Sequence, residues 1–395
     1  MKIIKVIGML LIGLITMNVE AQKGNTVVIN VQVDTPAYLK EAIYITGNFN
    51  AWNPQDAQYI LRPNSQEEGK YSIQLENIPT GVLEYKFTRG SWQTLECSTK
   101  GRLINLHDYS VNKEATIENT IQAWRDQYPA STAPVDLIVL ENFVIPELNR
   151  TRAIRIYLPK NYATSQRQYP VWYMHDGQDL FDEAISEGRL GPVEWEVDET
   201  IERLGDNYII VGIDHEYEKN RREKEYSFFP TSQTPIVEGK QYMAFIVNTL
   251  KPYIDANYRT SSDKENTGIA GGSLGGLISL YGGLTYPEVF GKIGVFSPSL
   301  WQDNQNVQAY LASFSLQQIE QIQEQHYFFY AGGRENRKIG GGQVVHMDQD
   351  VLAFVKQVEA QFQINNKVKI DPMGKHGAWY WQQAFSWMIE LDSNH

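Results

Sequence analysis

The chain has one cysteine, Cys97, in 395 residues. That excludes an intrachain disulfide framework and leaves stability to a large apolar core. Cys97 sits beside Glu96, far from any paired histidine motif, so catalysis by a thiol is not expected. Positive charge is also scarce: 35 Lys and Arg stand against 47 Asp and Glu, a net charge of −12. No basic cluster beyond Arg221-Arg222 offsets that balance, which argues against nucleic acid or anionic membrane partners and favours neutral or cationic ligands. The apolar stretch Val6 to Met17 is too short to span a bilayer. It follows the basic start Met1-Lys2-Ile3-Ile4-Lys5 and precedes the small-residue site Val19-Glu20-Ala21, which is the layout of a secretory signal peptide over residues 1–21. With no lipid-acceptor cysteine nearby, an exported periplasmic or secreted protein is expected, without stable membrane insertion after cleavage.

What remains is long enough for two domains. From residue 22 to 127 the pattern alternates and is rich in turns, with Val27 to Val33, Ala42 to Thr46, Tyr71 to Leu75 and Leu83 to Phe87 as candidate strands. This predicts a small β-sandwich. Residues 128–135, with Pro129 and Pro134 among small residues, suit an exposed linker. Over 136–395 strands alternate with helices, which predicts a mostly parallel α/β sheet covered on both faces. The candidate strands there are Ala153 to Leu158, Pro170 to Met174, Tyr208 to Ile213, Ile269 to Ala270, Ile293 to Phe296, His326 to Tyr330 and Lys367 to Ile370. Helical periodicity fits Glu196 to Leu204, Lys240 to Asn257, Gln305 to Gln325, Met347 to Phe362 and Trp379 to Leu391.

Gly271-Gly272-Ser273-Leu274-Gly275 has the G-x-S-x-G spacing of a nucleophile elbow. A strand turning sharply into a helix pushes the serine hydroxyl outward, and side chains at either flanking glycine would collide across the turn. A buried strand before the motif and an apolar helix after it supply the required order. A serine hydroxyl needs a histidine to take its proton and an acid to orient that histidine. Of the histidines after Ser273, His326 begins a strand and so lies at the wrong end of the sheet, and His346 lies near a helix start. His395 is terminal, while His376 follows a strand in the turn Gly374-Lys375-His376-Gly377 and is the candidate base. Glu335, carried past the strand His326 to Tyr330 by Gly332-Gly333, is the favoured acid; Asp348, Asp350 and Asp371 stay in reserve. The oxyanion donors expected are the backbone amides of Leu274 and of Gln178, the latter in the turn Met174-His175-Asp176-Gly177-Gln178. His175-Asp176 lacks a third ligand at metal-site spacing, so neither a metal nor another cofactor is expected. Asp176, Trp195, Ser297 and Trp301 are expected to line the substrate pocket.

These pieces, together with Val211-Gly212-Ile213-Asp214 and Phe296-Ser297-Pro298-Ser299-Leu300-Trp301, resemble the esterase family of α/β hydrolases that takes in esterase D, feruloyl and acetyl xylan esterases, enterochelin-type esterases and mycolyltransferases. The resemblance covers most of the second domain. It implies an α/β-hydrolase fold, with Ser273, Glu335 and His376 as triad, the Gln178 and Leu274 amides as oxyanion hole, and Arg222, in the stretch Arg222-Glu223-Lys224-Glu225-Tyr226 that resembles a pocket-bordering loop, at the substrate pocket. In front, Ile45 to Pro54 and Glu84 to Trp92 are similar to starch- and glycogen-binding modules of the immunoglobulin-like type. That likeness implies stacking of Trp52 and Trp92 on sugar faces, with Lys86 as hydrogen-bond donor. The expectation is an exported serine carboxylic-ester hydrolase acting on a carbohydrate-linked acetyl or feruloyl ester. A siderophore esterase or acyltransferase of the same fold, and a non-catalytic glycan-binding protein on a hydrolase scaffold, are the alternatives.

Overall fold

The computed structural model describes residues 24–34, 41–187, 193–205, 207–216, 218, 220–303, 305–339 and 342–393; the expected signal peptide lies outside them. One compact unit ends at Tyr128 and a second begins at Pro129.

The front unit is all β. Asn25–Val33 pairs antiparallel with Lys70–Ile78 and parallel with Ala115–Ile121. In a second sheet, Gly81–Thr88 lies between Tyr44–Gly47 and His107–Val111. Alternate residues point inward, so Val27, Ile29 and Val31 of one sheet meet Ile45, Leu83 and Phe87 of the other, with Trp124, in one core. Ala115–Ile121 and His107–Val111 were not among the sequence candidates, because polar residues such as Glu118, Asn119 and Asp108 interrupt their apolar alternation.

The second unit is built on an eight-stranded sheet. Its strands, numbered in chain order within this unit, are β1 Ile138–Ile145, β2 Arg150–Tyr157, β3 Val171–His175, β4 Ile209–Ile213, β5 Thr267–Gly272, β6 Lys292–Phe296, β7 His326–Gly332 and β8 Asn365–Asp371. The spatial order is β1-β2-β4-β3-β5-β6-β7-β8. Strand β2 runs antiparallel to both its neighbours, and β3 to β8 are parallel. Strand β1, at the edge and broken by Glu141 and Asn142, carries no clean apolar signal and was not anticipated. The central strands are buried on both faces, and successive residues feed different cores. Ile269, Val295 and Phe329 pack with the helices Leu274–Thr285 and Met347–Phe362; Ala270, Phe296 and Phe328 pack with Val197–Arg203 and Ala378–Asp392. The single helix expected over Gln305 to Gln325 is instead two, Asn306–Ala312 and Leu316–Gln323. Ser315 starts the second: it accepts from the Gln318 amide, and the Gln318 side chain accepts from the Ser315 amide in return.

Because β5 to β8 are parallel, Ser273, Ser297, Glu335 and His376 all follow the carboxyl ends of neighbouring strands and emerge along one edge of the sheet. Two contacts fix that edge. An added Cβ on Gly271 would stand 2.8 Å from the carbonyl carbon of Gly275 and 2.9 Å from the His175 ring, so strand and helix touch backbone to backbone. Beyond β6, Asp303 accepts hydrogen bonds of 2.7 Å each from the Tyr281 hydroxyl, on the helix after Ser273, and from the Val307 amide. Burial pushes the Asp303 carboxyl up to about 6 despite those bonds.

Gly271→Ala should therefore cost about 2 kcal/mol or more through overpacking, seen as a lower melting temperature; a variant as stable as the parent would contradict the packing. For Asp303, the folded carboxyl binds its proton more tightly than the unfolded one, so its ionisation takes stability away as pH rises from about 4 to about 6. Asp303→Asn should flatten that segment of the pH–melting curve, and an unchanged slope would refute the assignment.

Candidate active site

Ser273 stands between β5 and the helix Leu274–Thr285 with φ 60° and ψ −120°, a backbone state that costs a residue with a side chain energy and persists only when its neighbours enforce it. The enforcement is visible. The Ser273 amide donates to Phe296 O at 2.9 Å, and its carbonyl accepts from the Ser299 and Leu277 amides, each at 3.1 Å. The Ser273 hydroxyl lies 3.2 Å from that of Ser299. Beneath the elbow, the His175 ring is wedged against the positions of Gly271 and Gly275, and its Nδ1 is 2.9 Å from the Tyr242 hydroxyl. Full burial pulls His175 down to about 3, so it is neutral. His175 Nδ1 and both carboxylate oxygens of Asp176 have protein partners. His175 props the elbow, while Asp176 accepts from Arg222 Nε at 2.6 Å and Nη2 at 2.7 Å and lies 3.1 Å from His215 Nδ1.

Glu335 and His376 come together across the end of the sheet. Glu335 Oε2 is 3.1 Å from His376 Nδ1. Its other oxygen accepts from the Ser297 hydroxyl at 2.7 Å and the Gly332 amide at 3.0 Å. A carboxylate facing Nδ1 keeps the proton on that nitrogen and leaves Nε2 as the basic one. The reserve acids are used elsewhere: Asp371 accepts from the Met373 amide at 2.9 Å, and Asp348 and Asp350 lie in the first turn of Met347–Phe362. His326 pairs with Asn365 at the opening of β7, and His346 with Asn336 before the helix Met347–Phe362.

The two amides expected to receive an oxyanion sit at turn starts. Leu274 is the first residue of its helix, so its N–H has no partner within the helix. Gln178 lies in the short turn Gly177–Asp179, entered through Asp176 at φ 57°. Gly177 is required there, since a Cβ would come 2.7 Å from Gly212 of β4. The Gln178 side chain is buried and accepts from the His215 amide at 3.0 Å, which fixes the turn. Around it, burial and then the charge of Asp176 push Asp179 up to about 7. Burial works against ionisation of Asp176 too, but the Arg222 guanidinium overrides it and holds that carboxyl well below the usual range.

Among the expected pocket residues, Arg222 and Trp301 keep exposed surface, and Arg222 is the cation that braces Asp176. Asp176, Trp195 and Ser297 correct the sequence expectation, Asp176 being 5% exposed and held by Arg222. Trp195 is 1% exposed and packs on Phe296 and Trp381, and Ser297 is wholly buried behind Glu335. In the front unit Lys86 is also a correction: it is 2% exposed, with Nζ donating to Ile104 O at 2.9 Å, so its ammonium serves the fold rather than a sugar. Trp52 and Trp92 remain partly exposed.

Trp381, which sequence reasoning missed, touches most of the site. Its Nε1 donates to Ser297 Oγ at 3.0 Å, and its ring meets His376 edge-on at 4.9 Å. The only signal was the aromatic run Trp379-Tyr380-Trp381 just after the candidate histidine. Among the described residues, Glu194, Asp198 and Glu199 bring carboxylate oxygens within 4.8 Å of one another, and each residue has further interactions. No helix of the described residues is long and apolar enough to cross a membrane.

Comparison with known proteins bears on this site. The chain is 31% identical over 159 residues to YbbA of Bacillus subtilis, a match covering 39% of this chain and 59% of that one. It is 41% identical over 101 residues to an alpha-amylase of Niallia circulans, covering 25% of this chain and 7% of the amylase. The chain thus spans about three fifths of YbbA and a small part of the amylase. Among solved structures, the enterobactin esterase FES of Shigella flexneri superposes with a TM-score of 0.52 at 15% identity, covering 90% of each chain. An IroE-like serine hydrolase of Shewanella oneidensis gives 0.51 at 21% identity, covering 65% of this chain and 79% of that one. At those identities the likeness is one of fold. The family model Esterase, described as "Putative esterase", matches residues 145–390. The chain belongs to this esterase family.

Proposed function

We propose that the chain is an exported serine esterase that works through an acyl-enzyme on Ser273, with His376 as base and Glu335 as the acid that orients it. The observation that carries this is the Glu335–His376 hydrogen bond, formed at the same sheet edge from which the strained Ser273 turn projects. Ser273 Oγ attacks the ester carbonyl and gives its proton to His376 Nε2, while Glu335 stabilises the imidazolium. The carbonyl oxygen becomes an oxyanion received by the Leu274 and Gln178 amides. As the tetrahedral intermediate collapses, the carbon–oxygen bond to the alcohol breaks and the alcohol leaves with the proton from His376. Water then attacks the acyl-enzyme with His376 again as base, releasing the acid and restoring Ser273. In the resting state the Ser273 hydroxyl pairs with that of Ser299, and catalysis requires it to turn toward the imidazole.

The favoured substrate is a carbohydrate-linked acetyl or feruloyl ester. Support comes from the similarity of the front unit's motifs to starch-binding modules, from the shared stretch with an alpha-amylase, and from the partly exposed Trp52 and Trp92. A siderophore ester is the second reading, favoured by a fold match to an enterobactin esterase that takes in 90% of this chain. The signal peptide expected over residues 1–21 supports export.

Ser273→Ala should lower ester turnover by at least about ten-thousandfold with the fold intact, and Glu335→Gln by about a thousandfold; turnover by Ser273→Ala equal to that of the parent would rule the mechanism out. Comparing kcat/KM on acetylated and feruloylated saccharides with that on a catecholate triester should favour the saccharides. A preference of more than about tenfold for the triester, equivalent to one decade of transition-state discrimination, would reverse the substrate assignment.

A further inference from the structure

We propose that Ser297 and Trp381 form a positioning relay that locks the carboxylate of Glu335 and the ring of His376 in register for proton transfer. The proposal rests on the serine esterase reading above. Ser297 follows β6 with φ 43° and is wholly buried, its amide donating to Tyr330 O at 2.7 Å. Its hydroxyl faces no solvent. It lies 3.0 Å from Trp381 Nε1 and 2.7 Å from Glu335 Oε1.

The chemistry of the two neighbours sets the direction of the hydroxyl. An indole N–H can only donate, and an ionised carboxylate can only accept. Ser297 Oγ therefore accepts from Trp381 and must donate to Glu335. With the Gly332 amide at 3.0 Å, Oε1 then holds two donors and Oε2 is left for His376. Rotating the carboxylate away from the imidazole breaks both of those charge-assisted bonds.

The same indole acts on the other two members. Its ring lies edge-on to His376, 4.9 Å between centroids at 80°. It also covers Gly272, the residue before the nucleophile, closely enough that a Cβ there would come within 2.9 Å of the ring. Trp195 backs it at 5.2 Å. One side chain from the last helix thus touches the base directly, the acid through Ser297, and the strand that ends at the nucleophile. Glycine at 272 is explained by this contact, which lies outside the G-x-S-x-G spacing.

Ser297→Ala and Trp381→Phe cut the relay at different atoms, and phenylalanine keeps a ring where the indole packs. Tested in the full chain on an aryl acetate, each is expected to lower kcat about tenfold with KM within about twofold, and the double variant no further than the larger single loss, because both break one chain of bonds to a charged group. Additive losses, or a rise in KM in place of the fall in kcat, overturn the relay. Should Ser297→Ala fail to fold, Trp381→Phe alone decides: kcat equal to the parent overturns the proposal. The Nδ1 proton of His376, followed by proton NMR, gives a readout independent of turnover. Its exchange with water should quicken in both variants, and an unchanged signal in both overturns the relay. A parent protein without esterase activity whose His376 proton still responds to both substitutions leaves the relay standing and refutes the esterase reading instead.

Discussion

The second unit depends on the backbone of one residue. Ser273, at φ 60° and ψ −120°, occupies a conformation that its own chemistry disfavours, and the surrounding structure is arranged to hold it. Phe296 O and the Ser299 amide grip it from the neighbouring strand end, and the glycines at 271 and 275 let the following helix and the His175 ring close against the turn. The glycine spacing visible in the sequence and the strained serine are the same fact seen twice. The gain is a hydroxyl presented at a helix start, where unsatisfied amides are already available to developing negative charge.

From that constraint the sheet does the rest. Parallel strands deliver successive loops to one edge, so four neighbouring strand ends contribute four roles: Ser273 after β5, the clamp Ser297-Pro298-Ser299 after β6, Glu335 after β7 and His376 after β8. The β6 loop is central because it binds on both sides. Its backbone holds Ser273 through Phe296 and Ser299, and its Ser297 hydroxyl holds Glu335. Ser273 and Glu335 are therefore fixed to one short turn, and movement of that turn would disturb both together.

How much of this the sequence discloses follows from where the information is stored. Strands buried on both faces are written as continuous apolar runs, and β3, β4, β6 and β7 could be located within a few residues; β8, at the sheet edge, was found from its alternation. The candidacy of Glu335 and His376 came from position, each following a strand through a glycine turn, and from the family resemblance. Edge strand β1 was illegible because its pairing is made by backbone while its side chains are mixed. Ser297 was placed on the pocket wall because it follows a strand that opens on the side of Ser273; packing against Trp381 of the last helix buries it, and Trp195 as well. Trp381 shows the same limit. Its contacts with Ser297 and Gly272 come from distant parts of the chain, and no local spacing encodes them. Lys86 was expected to meet a sugar from the likeness to sugar-binding modules, and here its ammonium turns inward to the Ile104 carbonyl.

The central claim is that Ser273 is a covalent nucleophile activated by the assembly around it. The most direct measurement is treatment of the native protein with a fluorophosphonate, followed by peptide mass spectrometry. The account predicts one adduct per chain, on the peptide carrying Ser273, lost on prior denaturation and strongly slowed by His376→Ala. An unlabelled protein, or an adduct on a different residue, would contradict it.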